Sequence, residues 1–192
     1  MREHRTVPCG EGARVSVTVR RVRAGEGDRV RALRLRAVSD PAASIAFLTT
    51  LEQERTRAQE FWDDRASAAA AGDAAAMFIA ERDDAWLGSV TVLVRRVGEV
   101  DHTGRRINDA RADVVGVYVA PELRGTGAID ALLDAAARWT REQGFDTLAL
   151  DVHADNARAQ AAYRRAGFVA TGEEFTGPIG PELGMSRSLR TL

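Results

Sequence analysis

The segment VVGVYVAPELRGTGAI, residues 114–129, contains the pattern from which the predicted fold follows. A dense apolar strand ends at Val119, Pro121 stops it, and Gly125 and Gly127 precede a helix. The first turn of any helix has unpaired N–H groups and a partial positive charge, and glycine lets a ligand approach the backbone without meeting a Cβ. The segment therefore predicts an anion-binding site where a strand passes into a helix.

Two other phosphate-binding motifs fit this segment poorly. A Walker loop ends in Gly-Lys-Ser/Thr, and the chain has no lysine at all. A dinucleotide fingerprint needs a third glycine at position 130, where the chain has Asp130, and it should follow an early strand of a βαβ unit. A glycine turn that only joins a strand to a helix stays open as an alternative.

Upstream of this segment, hydrophobic periodicity predicts a strand, three helices and a hairpin. These elements are a strand with Val15, Val17 and Val19 on one face, a helix capped by Asp28, two short helices within residues 42–71, and strands 75–81 and 86–96 joined by the turn 82–84. Residues 1–13 show no periodicity, so we expect a disordered extension there and a single domain over residues 14–192.

Downstream of the segment, strands and helices continue to alternate. The elements are a helix over about residues 128–143, a strand at 147–152, a helix capped by Asp155 or Asn156 that ends near Arg165, and two closing strands at 168–173 and 182–189. The order predicts the α/β class, with a mixed sheet and helices packed on it.

Composition narrows the classes of function. With 45% hydrophobic and 29% charged residues, the chain has the composition of a globular protein. Its net charge of −1 provides no strong electrostatic field, so neither nucleic acid nor a membrane surface is an expected partner.

Cys9 is the only cysteine, which excludes an internal disulfide, argues against a metal site and suits a cytoplasmic location. No apolar run has the length of a signal peptide or a membrane span.

The second informative segment reads NARAQAAYRRAGF at residues 156–168. Asn156 and Tyr163 are seven residues apart, so they share one helix face and lie about 10 Å apart along its axis, with the small Ala159 between them. A thin, extended ligand could lie against such a face. The spacing alone leaves open that Tyr163 is a core aromatic residue and Asn156 only a cap.

Together the two segments resemble the GNAT superfamily of N-acetyltransferases. The resemblance rests on VYVAP and RGTG in the first segment and on the pattern Asn-x-x-Ala-x-x-x-Tyr-x-x-x-Gly-Phe in the second, and it covers roughly residues 113–173. It implies a central, mixed, mostly antiparallel sheet with flanking helices. Two parallel strands, here residues 114–119 and 147–152, would splay apart to hold acetyl-CoA.

The resemblance also implies roles for individual residues. Tyr163 would protonate the departing thiolate. The cofactor-binding residues would be Val117, Tyr118 and Val119 along pantetheine, Asn156 on the second helix, and Arg124, Gly125, Thr126, Gly127, Ala128 and Ile129 around the pyrophosphate. Ile129 departs from the family, which usually has Gly or Ala there. Because Ile129 falls on the apolar stripe of its helix, we expect it to face the core.

The group that accepts the proton of the attacking amine is less defined. Asp113, at the start of the central strand, is the best carboxylate candidate for this catalytic base, and a solvated strand end is the alternative interpretation of this residue. His153 is the alternative, because histidine titrates near neutral pH. The expected acceptor is a primary amine of a small molecule, such as an antibiotic, an amino acid or a polyamine. A protein acceptor, and a sensor or interaction module that binds acetyl-CoA without turnover, are alternatives, and a homodimer is possible.

Overall fold

The computed structural model describes residues 17–101 and 104–190, and in this part of the chain seven strands form one sheet. The strands are β1 (Thr18–Arg21), β2 (Ala75–Arg82), β3 (Ala85–Arg95), β4 (Arg111–Val119), β5 (Thr147–His153), β6 (Val169–Gly177) and β7 (Gly180–Ser188). The helices are α1 (Gly27–Val38), α2 (Leu51–Arg55), α3 (Gln59–Ala71), α4 (Ala128–Glu142) and α5 (Ala157–Arg165). Short 3₁₀ turns are formed by Ala43–Ile45 and Pro121–Leu123.

The strand order across the sheet is β1-β2-β3-β4-β5-β7-β6. Every neighbouring pair is antiparallel except β4 and β5, which are parallel. Consecutive residues of β2 and β3 are buried, which is typical of strands covered by helices on both faces. The predicted α/β class, with a mixed and mostly antiparallel sheet and flanking helices, is therefore confirmed.

Several element boundaries differ from the prediction. Asp28 lies inside the first turn of α1 and does not cap it, since Glu26 is the residue before the helix. The first hairpin turns through Asp83 and Asp84 alone, with φ of 50° and 61°, because two left-handed residues match the twist of the flanking strands. Strand β4 begins earlier than predicted, and β6 and β7 are longer. The predicted extension over residues 1–13 lies outside the described residues.

Strands β4 and β5 separate along their length. Ala112 pairs with Leu148 and Asp113 pairs with Ala149, and no further pair joins the two strands. Both strands continue beyond this point, so their carboxyl-terminal halves are open towards each other. The predicted splay of the parallel strands is confirmed.

A bulge in β4 lies beside this opening. Ser89 of β3 pairs with Tyr118, and Thr91 pairs with Val115, so one residue of β3 faces two residues of β4. The first of those two is Gly116, whose φ of 61° lies in the left-handed region that favours glycine. A bulge reorients the backbone of its strand, and here it does so at the mouth of the opening.

The core lies between the sheet and its helices. Helix α4 buries Leu132, Leu133 and Ala136 along one stripe, and α3 buries Trp62 and Ala66. In the described part of the chain, no helix has both the length and the apolar character needed to cross a membrane. The same residues contain no group of three or more His, Cys, Asp or Glu side chains arranged to hold a metal ion.

Candidate active site

A cavity of about 750 Å³ occupies the opening between β4 and β5. This volume is in the usual range for ligand sites, which is about 300–1,000 Å³. Most of the predicted site residues line it, namely Val117, Tyr118, Val119, Arg124, Gly125, Gly127, Ile129, Asn156 and Tyr163. Thr126, Ala128 and Asp113 do not line it. The structure thus brings the two sequence segments to one cavity.

The loop before α4 is shaped by its two glycines. Gly125 has a φ of 78° and Gly127 a φ of 84°, and α4 begins at Ala128. A Cβ added at either glycine would meet no atom within 4 Å, so these positions need glycine for its backbone conformation rather than for room. The loop places the N-terminus of α4, with its free N–H groups, at the cavity wall.

The side chain of Arg124 has two protein partners. Its Nε donates to the backbone oxygen of Val119 at 3.0 Å, and its guanidinium forms an ion pair with Asp40. The Thr126 hydroxyl donates to the backbone oxygen of Leu123 at 2.7 Å. Arg124 therefore holds the loop against the end of β4, and its charge is shared with Asp40. Its direct contact with a phosphate stays a prediction.

The first turn of α4 carries two side chains at the cavity. Ile129 is half-buried, contacts the core and also lines the cavity, so it faces both. Asp130 also lines the cavity, and its buried Oδ1 has no hydrogen-bond donor among the described residues. An acidic group in the first turn complements the positive end of the helix.

Asn156 caps α5. Its side-chain oxygen accepts a hydrogen bond from the backbone N–H of Ala159 at 3.1 Å, and its Nδ2 donates to the backbone oxygen of Ile45 at 3.4 Å. Of the two caps considered in the sequence, Asn156 is the observed one. It ties the start of α5 to the segment that follows α1. Its predicted contact with the cofactor is not tested by this geometry.

Tyr163 lies on the same side of α5, facing the cavity. It is 7% exposed, and its ring centroid is 6.0 Å from that of Phe168. Burial raises the pKa of the Tyr163 hydroxyl above its ordinary value of 10. The hydroxyl therefore keeps its proton through the neutral pH range, which is the state a proton donor requires.

A second wall of the cavity is formed by α1, α2 and the segment between them. Glu54 is buried there and accepts hydrogen bonds from Arg34 at 2.9 Å, from Arg57 at 2.8 Å and from the Thr49 hydroxyl. The guanidinium groups of Arg34 and Arg57 also lie over the rings of Phe47 and Phe61. Burial alone would raise the pKa of Glu54, but these hydrogen bonds outweigh burial and hold it below its ordinary value.

We expect Glu54→Gln to lower the free energy of unfolding by about 2 kcal/mol at neutral pH, because two guanidinium groups lose their charged acceptor. Since the pKa of Glu54 is lowered in the folded state, its contribution is complete above the ordinary value of 4.5. It is lost as pH falls through the lower, folded value. Urea denaturation of variant and parent at neutral and acid pH measures the difference.

The matched control is Glu52→Gln, in the same helix, since Glu52 is exposed. Its free energy of unfolding should change by less than about 0.5 kcal/mol. Equal losses in the two variants, or a loss for Glu54→Gln that persists unchanged in acid, would contradict the assigned role.

The two base candidates from the sequence have different surroundings. Asp113 is buried outside the cavity lining, and it is ion-paired with Arg111 at 3.1 Å and Arg95 at 3.8 Å. Burial raises the pKa of Asp113, and Arg111 opposes that shift. His153 lines the cavity, but its Nδ1 accepts from the backbone N–H of Asp155 at 3.1 Å. Its Nε2 therefore carries the proton and donates to the backbone oxygen of Ile179 at 3.2 Å.

Sequence reasoning missed two acidic residues at this end of the cavity, Asp151 and Glu182. Asp151 precedes His153 by two positions on β5, and Glu182 pairs with His153 across β5 and β7. Alternation along β5 could have suggested Asp151. Glu182 had no local signal, because its place depends on how β7 pairs with β5.

Solved structures share this architecture at low sequence identity. A GNAT-family acetyltransferase from Streptococcus pneumoniae superposes with a TM-score of 0.69 and 18% identity, over 90% of this chain and 99% of that one. The yncA protein of Salmonella typhimurium, solved with its cofactor acetyl-CoA, gives a TM-score of 0.64 and 16% identity, over 92% of this chain and 95% of that one. Identities in this range support the fold alone.

Two curated relatives match part of the chain. An aminoglycoside N(6')-acetyltransferase type 1 of Stenotrophomonas maltophilia is 43% identical over 56 residues, or 29% of this chain and 37% of that protein. A mycothiol acetyltransferase of Cellulomonas flavigena is 36% identical over 104 residues, or 52% of this chain and 28% of that protein. The matches thus span well under two thirds of each relative's length.

The family model described as the acetyltransferase (GNAT) family matches residues 40–168. These residues are more than half of the chain, and they include the opening between β4 and β5, the loop before α4 and helix α5. The chain therefore belongs to the GNAT family of acetyltransferases.

Proposed function

We propose that this chain is an N-acetyltransferase that transfers the acetyl group of acetyl-CoA to a primary amine of a small molecule. One observation carries the proposal: the cavity between the splayed strands is lined both by the loop of Gly125 and Gly127, which precedes the N-terminus of α4, and by the buried side chain of Tyr163. Membership of the GNAT family supports the same activity.

The residues present fit acetyl-CoA. Its pyrophosphate needs several N–H donors and close approach to the backbone, which the left-handed glycines and the start of α4 provide. Its pantetheine arm carries amide groups that need partners. The edge of β4 beyond Asp113, which β5 leaves unpaired, supplies backbone N–H and C=O groups for them. The related yncA protein was solved with acetyl-CoA, which agrees with this assignment.

Acetyl-CoA would supply an acetyl group already activated as a thioester, and the chain would position the amine and move protons. Backbone N–H groups of the bulged part of β4, near Gly116, would donate to the carbonyl oxygen as negative charge develops on it. Tyr163 would donate its proton to the sulfur. Because the pKa of Tyr163 is raised by burial, the proton is in place before the reaction begins.

The cavity suits a cationic acceptor of modest size. Asp151 and Glu182 line it, and so do the aromatic side chains of Phe47 and Phe61. Carboxylates attract an ammonium group, and aromatic rings cover the apolar part of a ligand. The two curated relatives are named for an aminoglycoside and for mycothiol, both small molecules, which supports this class of acceptor. A homodimer stays a prediction, to be tested by light scattering.

Acetyl-CoA should bind and raise the melting temperature, because it binds the folded chain alone. Calorimetry with acetyl-CoA measures the binding, and mass spectrometry of a panel of amines incubated with acetyl-CoA identifies the product. No binding at millimolar acetyl-CoA would remove the proposed function. Binding without any acetylated amine would instead favour a sensor, and acetylation restricted to peptides would favour a protein acceptor.

A further inference from the structure

The position of Glu182 is set by the pairing of β7 with β5. Glu182 lies opposite His153 in that register, and it lines the cavity together with His153 and Asp151. Asp151 and His153 are two positions apart on β5 and therefore lie on one face of the sheet. Glu182 is thus a carboxylate on the acceptor side of the cavity, held on a strand rather than on a loop.

Glu182 is almost completely buried and incompletely paired. It is 5% exposed, and no donor among the described residues reaches its buried Oε1. A buried carboxylate oxygen without a donor is costly, so folded proteins rarely retain one without a ligand or a catalytic use. Glu182 therefore combines a place in the cavity lining with a carboxylate oxygen whose hydrogen-bonding capacity the described residues leave unused.

The turn between β6 and β7 is shaped around this side chain. A Cβ built on Gly177 would lie 2.0 Å from the Glu182 Oε1, and one built on Gly180 would lie 2.6 Å from the His153 Nε2. Two glycines therefore leave the space that the carboxylate and the imidazole occupy. The His153 ring is held in place by hydrogen bonds with the backbone N–H of Asp155 and the backbone oxygen of Ile179.

The charges that face Glu182 favour a carboxyl group able to take up a proton. Burial raises its pKa most, the Asp151 carboxylate raises it further, and Arg105 opposes these effects, as His153 does when its ring is protonated. Asp101 also raises it. Arg105 is ion-paired with Asp151 and with Asp101 at 3.0 Å, so its charge is shared between those two carboxylates. A base with a pKa nearer neutrality is better matched to proton transfer at neutral pH.

We propose that Glu182 is the catalytic base that takes a proton from the acceptor ammonium, an inference that rests on the proposed N-acetyltransferase function. The surroundings of three other candidate bases make them less suitable for this role. Asp113 is held by Arg111 and Arg95 outside the cavity lining, and both ring nitrogens of His153 have partners. Asp130 lies at the N-terminus of α4, on the side assigned to the pyrophosphate.

The proton balance of the step is complete. The acceptor ammonium gives one proton to Glu182, which later releases it to water. The lone pair of the neutral amine nitrogen forms the C–N bond to the acetyl carbon while the C–S bond of the thioester breaks. Tyr163 gives its proton to the departing sulfur and regains one from the nitrogen, so the products are the N-acetyl amine, the free thiol and one released proton.

The first test needs no turnover. The glutamate carboxyl carbons are titrated by ¹³C NMR, and the signal of Glu182 is identified as the one that the Glu182→Gln variant lacks. In the folded parent chain, the pKa of this carboxyl group should lie above the ordinary value of 4.5. Asp151→Asn should lower the pKa of Glu182, because it removes a neighbouring negative charge. A Glu182 carboxyl that titrates at or below 4.5 would overturn the proposal.

Thermal unfolding is a second measurement that needs no turnover. The melting temperature of Glu182→Gln should equal or exceed that of the parent, because a neutral amide costs less free energy to bury than a carboxylate. A lower melting temperature would indicate a structural ion pair instead.

The second test is kinetic and uses the amine whose product the panel confirms, with spermidine and tobramycin as the first probes. Glu182→Gln should lower kcat by about 100- to 10,000-fold with an unchanged KM for acetyl-CoA, and it should abolish the acid limb of the pH–rate profile. Glu182→Asp should restore part of the rate. Glu174→Gln, an exposed neighbour on β6, is the matched control and should behave as the parent.

The outcomes separate the inference from the function on which it rests. A parent chain that binds no acetyl-CoA and acetylates no amine defeats the proposed function. A parent chain that acetylates an amine, with Glu182→Gln equally fast, defeats only the role of Glu182. If Asp113→Asn alone removes the acid limb, the base is Asp113 as the sequence indicated.

Discussion

Replacing Tyr163 by phenylalanine is expected to lower turnover by about 10- to 1000-fold while the affinity for acetyl-CoA stays nearly unchanged. The substitution removes only the hydroxyl, and the ring still packs 6.0 Å from Phe168, measured between centroids. The ordinary pKa of a tyrosine hydroxyl is 10 and burial raises the pKa of Tyr163 further, so the parent hydroxyl carries its proton at neutral pH, as a donor to the sulfur must. Steady-state rates with a confirmed acceptor and calorimetry with acetyl-CoA measure the two quantities separately.

Thermal unfolding is the control for Tyr163→Phe. Phenylalanine preserves the packing of the ring, so the melting temperature should change little. A large fall would mark the hydroxyl as a structural hydrogen-bonding group. Equal turnover in variant and parent would show that water or another residue protonates the sulfur, and the proposed role of Tyr163 would then be wrong.

A carboxylate at position 127 should weaken acetyl-CoA binding strongly. Gly127 has a left-handed φ of 84° directly before α4, and Asp and Asn are the side chains that tolerate this region best. Gly127→Asp adds a negative charge where we place the pyrophosphate. We expect its dissociation constant to exceed that of Gly127→Asn by about 100-fold, or about 2.7 kcal/mol. Calorimetry with acetyl-CoA at low and high salt measures the difference.

Gly127→Asn is the matched control, since the two side chains differ in charge and hardly in size. Both should carry the same backbone strain, of about 1 kcal/mol, in their free energies of unfolding. High salt should narrow the gap in affinity, because screening weakens the repulsion. Equal affinities for the two variants would place the phosphates elsewhere.

The local sequence was sufficient for those features whose cause is local. Gly125 and Gly127 predicted a glycine-containing loop between a strand and a helix, and their positive φ values are what the structure adds. The apolar stripe of α4 and the spacing of Asn156 and Tyr163 followed from the helical period. The resemblance carried by these motifs then led to the prediction of splayed parallel strands, which the structure contains. Boundaries such as the start of β4 were misplaced, because Arg111 and Asp113 interrupt its apolar pattern.

The tertiary structure decided how the charged groups are used. Arg124 has its ion-pair partner at Asp40, 84 residues away, so its charge is not simply available to a phosphate. Asp113 is the most prominent carboxylate of the central strand in the sequence, but in the fold two arginines hold it outside the cavity lining. The bulge at Gly116 likewise depends on the register that β3 imposes.

The sequence alone indicated the family motif, the glycine loop before α4 and the tyrosine, since each depends on backbone conformation or spacing within one segment. The place of Glu182 in the cavity lining, by contrast, came from the fold. Glu182 reaches it because β7 pairs with β5 and because Gly177 leaves room for its carboxylate. The burial of Glu182 and the charges around it come from strands that are distant in the sequence, so no local pattern of residues predicts them.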